Sequence, residues 1–416
     1  MLFVQWEWIK KEKIESFVKK RGIGMKLLHV SDLHIGKTVN EFSMLKDQEY
    51  VLEQIISVAR EEQVDGVVIA GDVYDRSIPT AEAVGVLDKF LTRLLLGDDK
   101  KKGIEVYLIS GNHDSPERIG FARKLLEEKG LHIAGMISSE VKKIVKEDVY
   151  GNVNVYLLPF ATPKAMKYVL GQEELENDYH SCIKALTEKM QVNPAERNVL
   201  VTHHFVVGNG ETPILSDSEN FLSVGGTEAV DGSVWKDFDY VALGHIHRPQ
   251  RVGKDTIRYA GSPLKYSFSE AYHEKSMTIV ELGEKGSITI QEIPFVPLHD
   301  MRIIKGKLSD LLQKEVVMAG NPEDYLQVIL TDSEELYEPM EQLRAVYPNI
   351  MQLVLEKHIR KEEGIRFTSA KTAKRTTKEL FEEFYELVTE QKISDSQTEI
   401  LNSVIEEMGG AEYETN

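Results

Sequence analysis

LLHVS (residues 27–31) runs into Asp32-Leu33-His34, and the same design recurs four times: VVIAG (67–71) into Asp72, VYLISG (106–111) into Asn112-His113-Asp114, VLVT (199–202) into His203-His204, and VALG (241–244) into His245-Ile246-His247. A short run of Val, Ile and Leu bounded by a turn reads as a buried strand. Residues just past its end lie on the rim of the sheet, where loops build sites. One rim is therefore expected to collect at least seven Asp, Asn and His side chains.

The spacing favours two divalent cations over one. In Asp32-x-His34 and His245-x-His247 an extended backbone would turn residues i and i+2 to one face, so that each pair converges on a common centre. Seven ligands overfill one tetrahedral site. Two cations about 3.5–4 Å apart share a bridging carboxylate, and mixed oxygen and imidazole donors suit Mn, Fe or Zn better than Ca or a thiolate-bound metal. Such a centre favours hydrolysis of a phosphoester, with a shared hydroxide as nucleophile and both cations neutralising charge in the transition state. Each piece alone has an ordinary explanation, because Asp and Gly populate turns for backbone reasons. The isolated His29, His132, His273 and His358 are read as structural or surface residues. Turn chemistry does not account for all five motifs, each at a strand end.

The ordered set D-x-H, G-D-x-x-D, G-N-H-D, H-H and G-H-x-H, over roughly residues 25 to 275, resembles the calcineurin-like metallophosphoesterase superfamily. The resemblance implies that Asp32, His34, Asp72 and His247 bind one metal and that Asp72, Asn112, His203 and His245 bind the second, with Asp72 bridging. In the pair His203-His204 the family register, five residues before Gly208, selects His203 and leaves His204 in a supporting role. His113 is implied to contact the scissile phosphate or to protonate the leaving oxygen. Asp114, next in sequence, would orient the His113 ring; its alternative role is to cap a following helix, Pro116 to Glu128.

Two further stretches, YAGSPLKYSFSE (259–270) and Gly71-Asp72-Val73-Tyr74-Asp75-Arg76, resemble the SbcD nuclease family within that superfamily. The competing pattern is that of the protein serine/threonine phosphatases, whose G-D-x-x-D-R normally continues with Gly. Here Ser77-Ile78-Pro79-Thr80 follows. The resemblance implies a DNA exonuclease and a hairpin- or end-processing endonuclease with two divalent ions, Mn2+ foremost. It also implies a homodimer within a heterotetramer, acting with an SbcC-like coiled-coil ATPase on double-stranded DNA ends and hairpins in repair, recombination and replication. The alternatives are a metallophosphatase on a protein or small phosphoester, and a catalytically dead scaffold, which would require missing ligands; none is missing.

The chain has 416 residues, 42% of them hydrophobic, enough for two or three domains with sizeable cores. No apolar stretch approaches membrane-spanning length and no secretory signal is evident. The single cysteine, Cys182, excludes an internal disulfide framework and fits a reducing cytoplasm, near the nucleoid for a nuclease. A formal charge of −18 argues against unaided high-affinity DNA binding. Bound cations and a partner's grip on DNA would offset it.

Strands and helices alternate from Met25 and then give way to hairpins, which fits a layered α/β sandwich over residues 25–297. Helices are expected over Leu45 to Glu62, Thr80 to Leu96 and Leu175 to Met190. Residues 298–360 read as a small α+β unit, the capping domain of the family by resemblance, with a helix near Glu334–Val346. Residues 361–378, rich in Lys and Arg, form a basic tether. Residues 379–416 carry two amphipathic stripes, Leu380, Phe381, Phe384, Leu387 and Val388, then Ile400, Leu401, Val404, Ile405 and Met408, expected to dock on the ATPase. Ser394 and Gln397 offer a capping box. Residues 1–24 are expected to be an upstream-start extension, since Arg21-Gly22 can be encoded by a purine-rich ribosome-binding sequence ahead of Met25.

Overall fold

The structure, a computed structural model, describes residues 24–97, 103–208, 210–219 and 229–356, with 378, 381, 382, 385, 393, 394, 396–398 and 400–402. The described residues fall into two compact units divided between Arg302 and Ile303. Most of the expected extension, most of the tether, and Leu380, Phe384, Leu387, Val388, Val404, Ile405 and Met408 of the apolar stripes lie outside the described residues, as does His358.

The first unit is built on two six-stranded sheets. In chain order its strands are β1 (Met25–Val30), β2 (Gly66–Ala70), β3 (Glu105–Ile109), β4 (Leu131–Ala134), β5 (Lys142–Asp148), β6 (Gly151–Leu158), β7 (Arg197–Thr202), β8 (Tyr240–Leu243), β9 (Gln250–Val252), β10 (Lys254–Tyr259), β11 (Ser276–Leu282) and β12 (Ile288–Pro294). One sheet runs β12-β11-β1-β2-β3-β4 and the other β9-β10-β8-β7-β6-β5. The strands that end in site motifs are mutually parallel within each sheet, β1 with β2 and β2 with β3, then β7 with β8. Every residue of β2 and β7 is buried, as both faces of a central parallel strand require. Leu27, Val68, Ala70, Tyr107 and Ile109 meet Val155, Leu157, Val199, Val201 and Ala242 in a core between the sheets. The side-chain period of two sends the intervening residues to the outer faces.

The seven side chains therefore leave two rims, three strands from one sheet and two from the other, and not the single rim expected from sequence. The apolar runs alone cannot say which strands share a sheet.

Helix α1 (Leu45–Glu61) packs on α2 (Ala81–Leu96), and α2 on β3. Thr80 caps α2 by accepting from the Ala83 N–H. Helices α3 (Pro163–Leu170) and α4 (Tyr179–Lys189) cover the second sheet through Met166, Cys182, Ile183 and Leu186. The α4 helix begins later than expected because Asp178, as N-cap, accepts from the Ser181 N–H. The helix expected over Pro116 to Glu128 is two short pieces, Pro116–Ile119 and Arg123–Glu127, parted by left-handed Ala122 (φ 55°). Cys182 is buried and free. Of the histidines set aside, His29 Nδ1 lies 3.0 Å from the Tyr240 hydroxyl across the two sheets and His132 stacks on Tyr107.

The second unit has a three-stranded sheet, Met301–Gly306, Tyr325–Leu330 and Ile350–Leu355, with Leu326, Val328, Leu343, Tyr347 and Ile350 in its core. Two short helices, Leu308–Leu311 and Lys314–Val317, precede the helix expected near Glu334–Val346, which spans only Pro339–Arg344 because Glu338 is left-handed (φ 41°) and Pro339 fills the first turn. In the tail the Ser394 N–H donates to Gln397 Oε1 at 2.9 Å, one half of the capping box, and Gln397 Nε2 donates to the Tyr385 hydroxyl at 2.8 Å. Phe381 and Ile400 are exposed. Among the described residues no helix is long and apolar enough to cross a membrane.

Arg197, buried at the start of β7, ties the sheets together. Its guanidinium donates to Asp148 on β5, to the Leu282 and Gly283 carbonyls at the end of β11, each at 3.1 Å, and to the Gly151 carbonyl at 2.7 Å. Substituting Arg197→Met removes the charge partner of Asp148, leaving it the Met25 and Tyr150 N–H donors, and takes a donor from three carbonyls; it is expected to cost roughly 3 kcal/mol in urea-unfolding free energy.

Candidate metal centre

Turn geometry, not strand pleat, converges the ligand pairs. Asp32 (φ 52°), His34 (φ 44°), Asp72 (φ 48°) and His245 (φ 96°) all have left-handed backbones, sparsely populated for residues with a side chain. The extended Asp-x-His and His-x-His expected from sequence are thus replaced by turns. Backbone bonds fix them: Asp32 N–H donates to the Gly71 carbonyl at 3.0 Å and His34 N–H to the Asp72 carbonyl at 2.9 Å.

Glycine explains how two rims approach so closely. A Cβ on Gly71 would stand 2.4 Å from His203 Nδ1, and one on Gly244 would stand 2.1 Å from the Ala70 carbonyl, each on the opposite sheet.

The structure brings all seven side chains together. His34 Nε2 lies 3.1 Å from His247 Nε2 and 3.7 Å from Asp72 Oδ2. His203 Nε2 lies 3.2 Å from Asp72 Oδ2, 3.1 Å from Asn112 Oδ1 and 3.9 Å from Asp32 Oδ1. His245 Nδ1 is 3.0 Å from Asn112 Oδ1, and its N–H donates to Asp32 Oδ1 at 3.0 Å. Asp32, His34 and His247 form one set whose ligand atoms lie within 4.8 Å of one another, and Asp32, Asp72 and His203 form another. Asp32, His34, Asp72, His203 and His247 are buried; Asn112 is exposed and His113 and His245 are half-buried, so the centre opens on their side.

The donor set fits divalent cations. Two buried carboxylates with imidazole nitrogens facing one another have donor atoms in excess of protons, and His34 Nδ1 is buried with no hydrogen-bond partner. Burial pushes the Asp32 carboxyl up, against the pull of His203 and His247, and burial drives His34 well below its ordinary value. Burial would raise Asp72 too, but His203 beside it wins and holds it well below the usual carboxylate range. Burial pulls His203 down, yet the Asp72 carboxylate outweighs it and lifts that imidazole to about 9. His203 thus carries a proton that a cation can replace.

Outer contacts set the tautomers. A carbonyl only accepts, so His203 Nδ1, 2.7 Å from the Ala70 carbonyl, bears a hydrogen and Nε2 is the atom that could bind a cation. His247 Nδ1 faces Ser218 Oγ at 2.7 Å and Glu270 Oε1 at 3.5 Å, while Glu270 accepts from Ser218 and from buried Lys275. The His247 N–H donates to Glu219 Oε1 at 2.5 Å. Sequence reading passed over Ser218, Glu219, Glu270 and Lys275. The only signal for them was the end of YAGSPLKYSFSE, whose last residue is Glu270.

Asp114 neither caps a helix nor holds His113. Its carboxylate accepts from the Val73, Tyr74 and Gly111 N–H groups at 3.0, 2.9 and 2.9 Å, so it clamps the Asp72 turn to the Asn112 turn. Ser115 caps the short helix instead. Burial, then the Asp72 charge, pushes Asp114 up to about 6. The His113 ring is set by Nδ1 donating to the Asp75 carbonyl at 3.0 Å, and its backbone N–H donates to Asp72 Oδ1 at 2.9 Å. His204 points elsewhere: its Nδ1 lies 2.9 Å from Thr202 Oγ1, its ring stacks on Phe160, and burial lowers it to about 3.

Because a cation displaces the His203 proton, apparent affinity for Mn2+ should rise with pH up to about 9. Below that value the proton held by the free centre opposes binding, by up to about tenfold per pH unit. Titration calorimetry in buffers of different ionisation enthalpy should show more proton release on binding at pH 7 than at pH 9.

Residues 25–249, more than half of the chain, match the calcineurin-like phosphoesterase family, and residues 297–389 match the SbcD C-terminal family, described as the type 5 capsule protein repressor C-terminal domain. Similar solved structures include GAP50, the anchor in the inner membrane complex of Plasmodium, at 12% identity over 80% of this chain and 97% of that one (TM-score 0.40). A dimetal phosphatase from Danio rerio is 11% identical over 66% of this chain and 100% of its own (TM-score 0.33). Yfce, a phosphoesterase from E. coli, is 16% identical over 65% and 100% (TM-score 0.25). With its motifs gathered at one centre and its N-terminal unit matched from the first strand, the chain belongs to the calcineurin-like phosphoesterase family and carries an SbcD-type C-terminal region.

Proposed function

We propose that this protein is the nuclease subunit of an SbcCD-like complex, hydrolysing phosphodiesters at DNA ends and hairpins with two divalent ions, Mn2+ foremost. One observation carries this reading: a phosphoesterase centre with its full ligand set lies on the same chain as an SbcD C-terminal region. The −18 charge fits a subunit that leaves much of the grip on DNA to a coiled-coil ATPase. Exposed Phe381 and Ile400, beyond the basic tether, supply apolar anchors for that partner.

In this reading Asp32, His34, Asp72 and His247 hold one cation, and Asp72, Asn112, His203 and His245 the other. Bound there, divalent cations would supply a nucleophile at neutral pH and neutralise charge on the phosphoryl group. His113 handles the proton. With Nδ1–H committed to the Asp75 carbonyl, only Nε2 is available, so His113 donates to the leaving oxygen as the imidazolium and is left as the Nδ1–H tautomer. Asp114 acts through the backbone, keeping the turns of Asp72 and Asn112 in register.

Linear duplex DNA and p-nitrophenyl phosphate, offered with Mn2+ and then Mg2+, with and without the ATPase, test the reading. Metal-dependent cleavage of duplex is expected. Fast monoester hydrolysis with DNA left intact in every arm would make the protein a phosphatase. Asp72→Ala should empty both cation positions and abolish turnover, whereas His113→Ala should keep its metals and lose about 10²–10⁴-fold in rate. Metal analysis of the two variants beside their rates separates these roles, and near wild-type turnover by His113→Ala would remove its proposed part.

A further inference from the structure

The turn bearing Asp32 and His34 continues to Lys37, whose N–H donates to the His34 carbonyl at 3.0 Å. The Lys37 ammonium donates to Asp75 Oδ1 at 2.7 Å and stands 5.4 Å from the centre of the Tyr266 ring. That ring is itself fixed, since its hydroxyl donates to the Leu33 carbonyl at 2.6 Å and accepts from Gln48 at 3.1 Å. Asp75 Oδ1 is also 3.6 Å from His34 Nδ1, and the Asp75 carbonyl holds the His113 ring. A half-buried ammonium is thereby anchored beside two histidines of the centre without belonging to the ligand set.

An ammonium has three donors and Asp75 takes one. Neutralising Asp75 does not by itself require Lys37, because Arg76 Nε already lies 3.7 Å from Asp75 Oδ2 while 79% of the Arg76 side chain is exposed. A strongly hydrated cation clamped between a carboxylate and an aromatic face, in a chain of net charge −18, has the chemistry of an anion-binding group.

We infer that Lys37 binds a backbone phosphate neighbouring the scissile one, and so favours polynucleotide over isolated phosphoesters at this centre. The inference rests on the nucleic-acid reading above and names the side chain by which the substrate is told apart. Asp75 is a positioning residue for both Lys37 and His113.

Equilibrium binding of a fluorescent DNA duplex to the Mn2+-loaded full chain, in a His113→Ala background that slows cleavage, tests the inference apart from catalysis. Lys37→Gln should weaken binding about tenfold or more and flatten the slope of log Kd against log salt by about one. Lys37→Arg should restore most of the affinity, and Arg76→Gln should cost distinctly less than Lys37→Gln. Equal losses for Lys37→Gln and Arg76→Gln would reduce the effect to general surface charge and overturn the assignment. So would an unchanged salt slope, or loss of bound metal in Lys37→Gln, which would make Lys37 a prop for His34. Failure of the parent chain to bind duplex at any salt concentration would overturn this inference alone, because the nuclease reading leaves much of the grip on DNA to the partner ATPase. Binding that depends on Lys37, without cleavage in the assay of the preceding section, would sink the nuclease reading alone.

Discussion

Two carboxylates, Asp32 and Asp72, are buried at the seam between two sheet rims, and much of the first unit can be understood as a response to that charge. Removing an ionised carboxylate from water is tolerated only where opposite charge and hydrogen bonds replace the water. Ser31, the His245 N–H and the His113 N–H supply the bonds; His203 supplies a proton in the absence of metal. These compensations come from both sheets, so the charge can be accommodated only once the sandwich has closed. The left-handed turns at Asp32, His34, Asp72 and His245 follow from the same demand, since they aim short side chains back across the seam at some backbone cost.

Much of this was legible in the sequence because the relevant signals are local. An apolar run followed by polar ligand types is contained within about ten residues, and every such run is a strand. What could not be read is what depends on pairing. Nothing in LLHVS or VLVT tells which sheet each joins, so a single rim was the natural expectation where two are found. Nor does adjacency predict partnership: Asp114 follows His113 in the chain, yet its carboxylate turns back to the Val73 and Tyr74 N–H groups, some 40 residues away, and the His113 ring is held by a backbone carbonyl. The support of His247 is assembled from Ser218, Glu219, Glu270 and Lys275, which share no spacing rule.

Helix ends failed for a related reason. The apolar periodicity over residues 175–190 and 334–346 is real, but Asp178 and Pro339 set where each helix starts. Capping chemistry outweighs periodicity wherever the two disagree by a turn.

The strand Arg197–Thr202 begins at a guanidinium that grips the other sheet and leads directly into the histidine beside the Asp72 carboxylate. With every residue buried, it behaves as a strut of fixed length. Adding or deleting one residue would invert the facing of its side chains and move one anchor by about 3.3 Å relative to the other. A length change inside this strand would pull one of its two anchors out of place, and the spacing from Arg197 to His203 is a ruler by which the fold sets the distance from its outer clamp to the candidate centre.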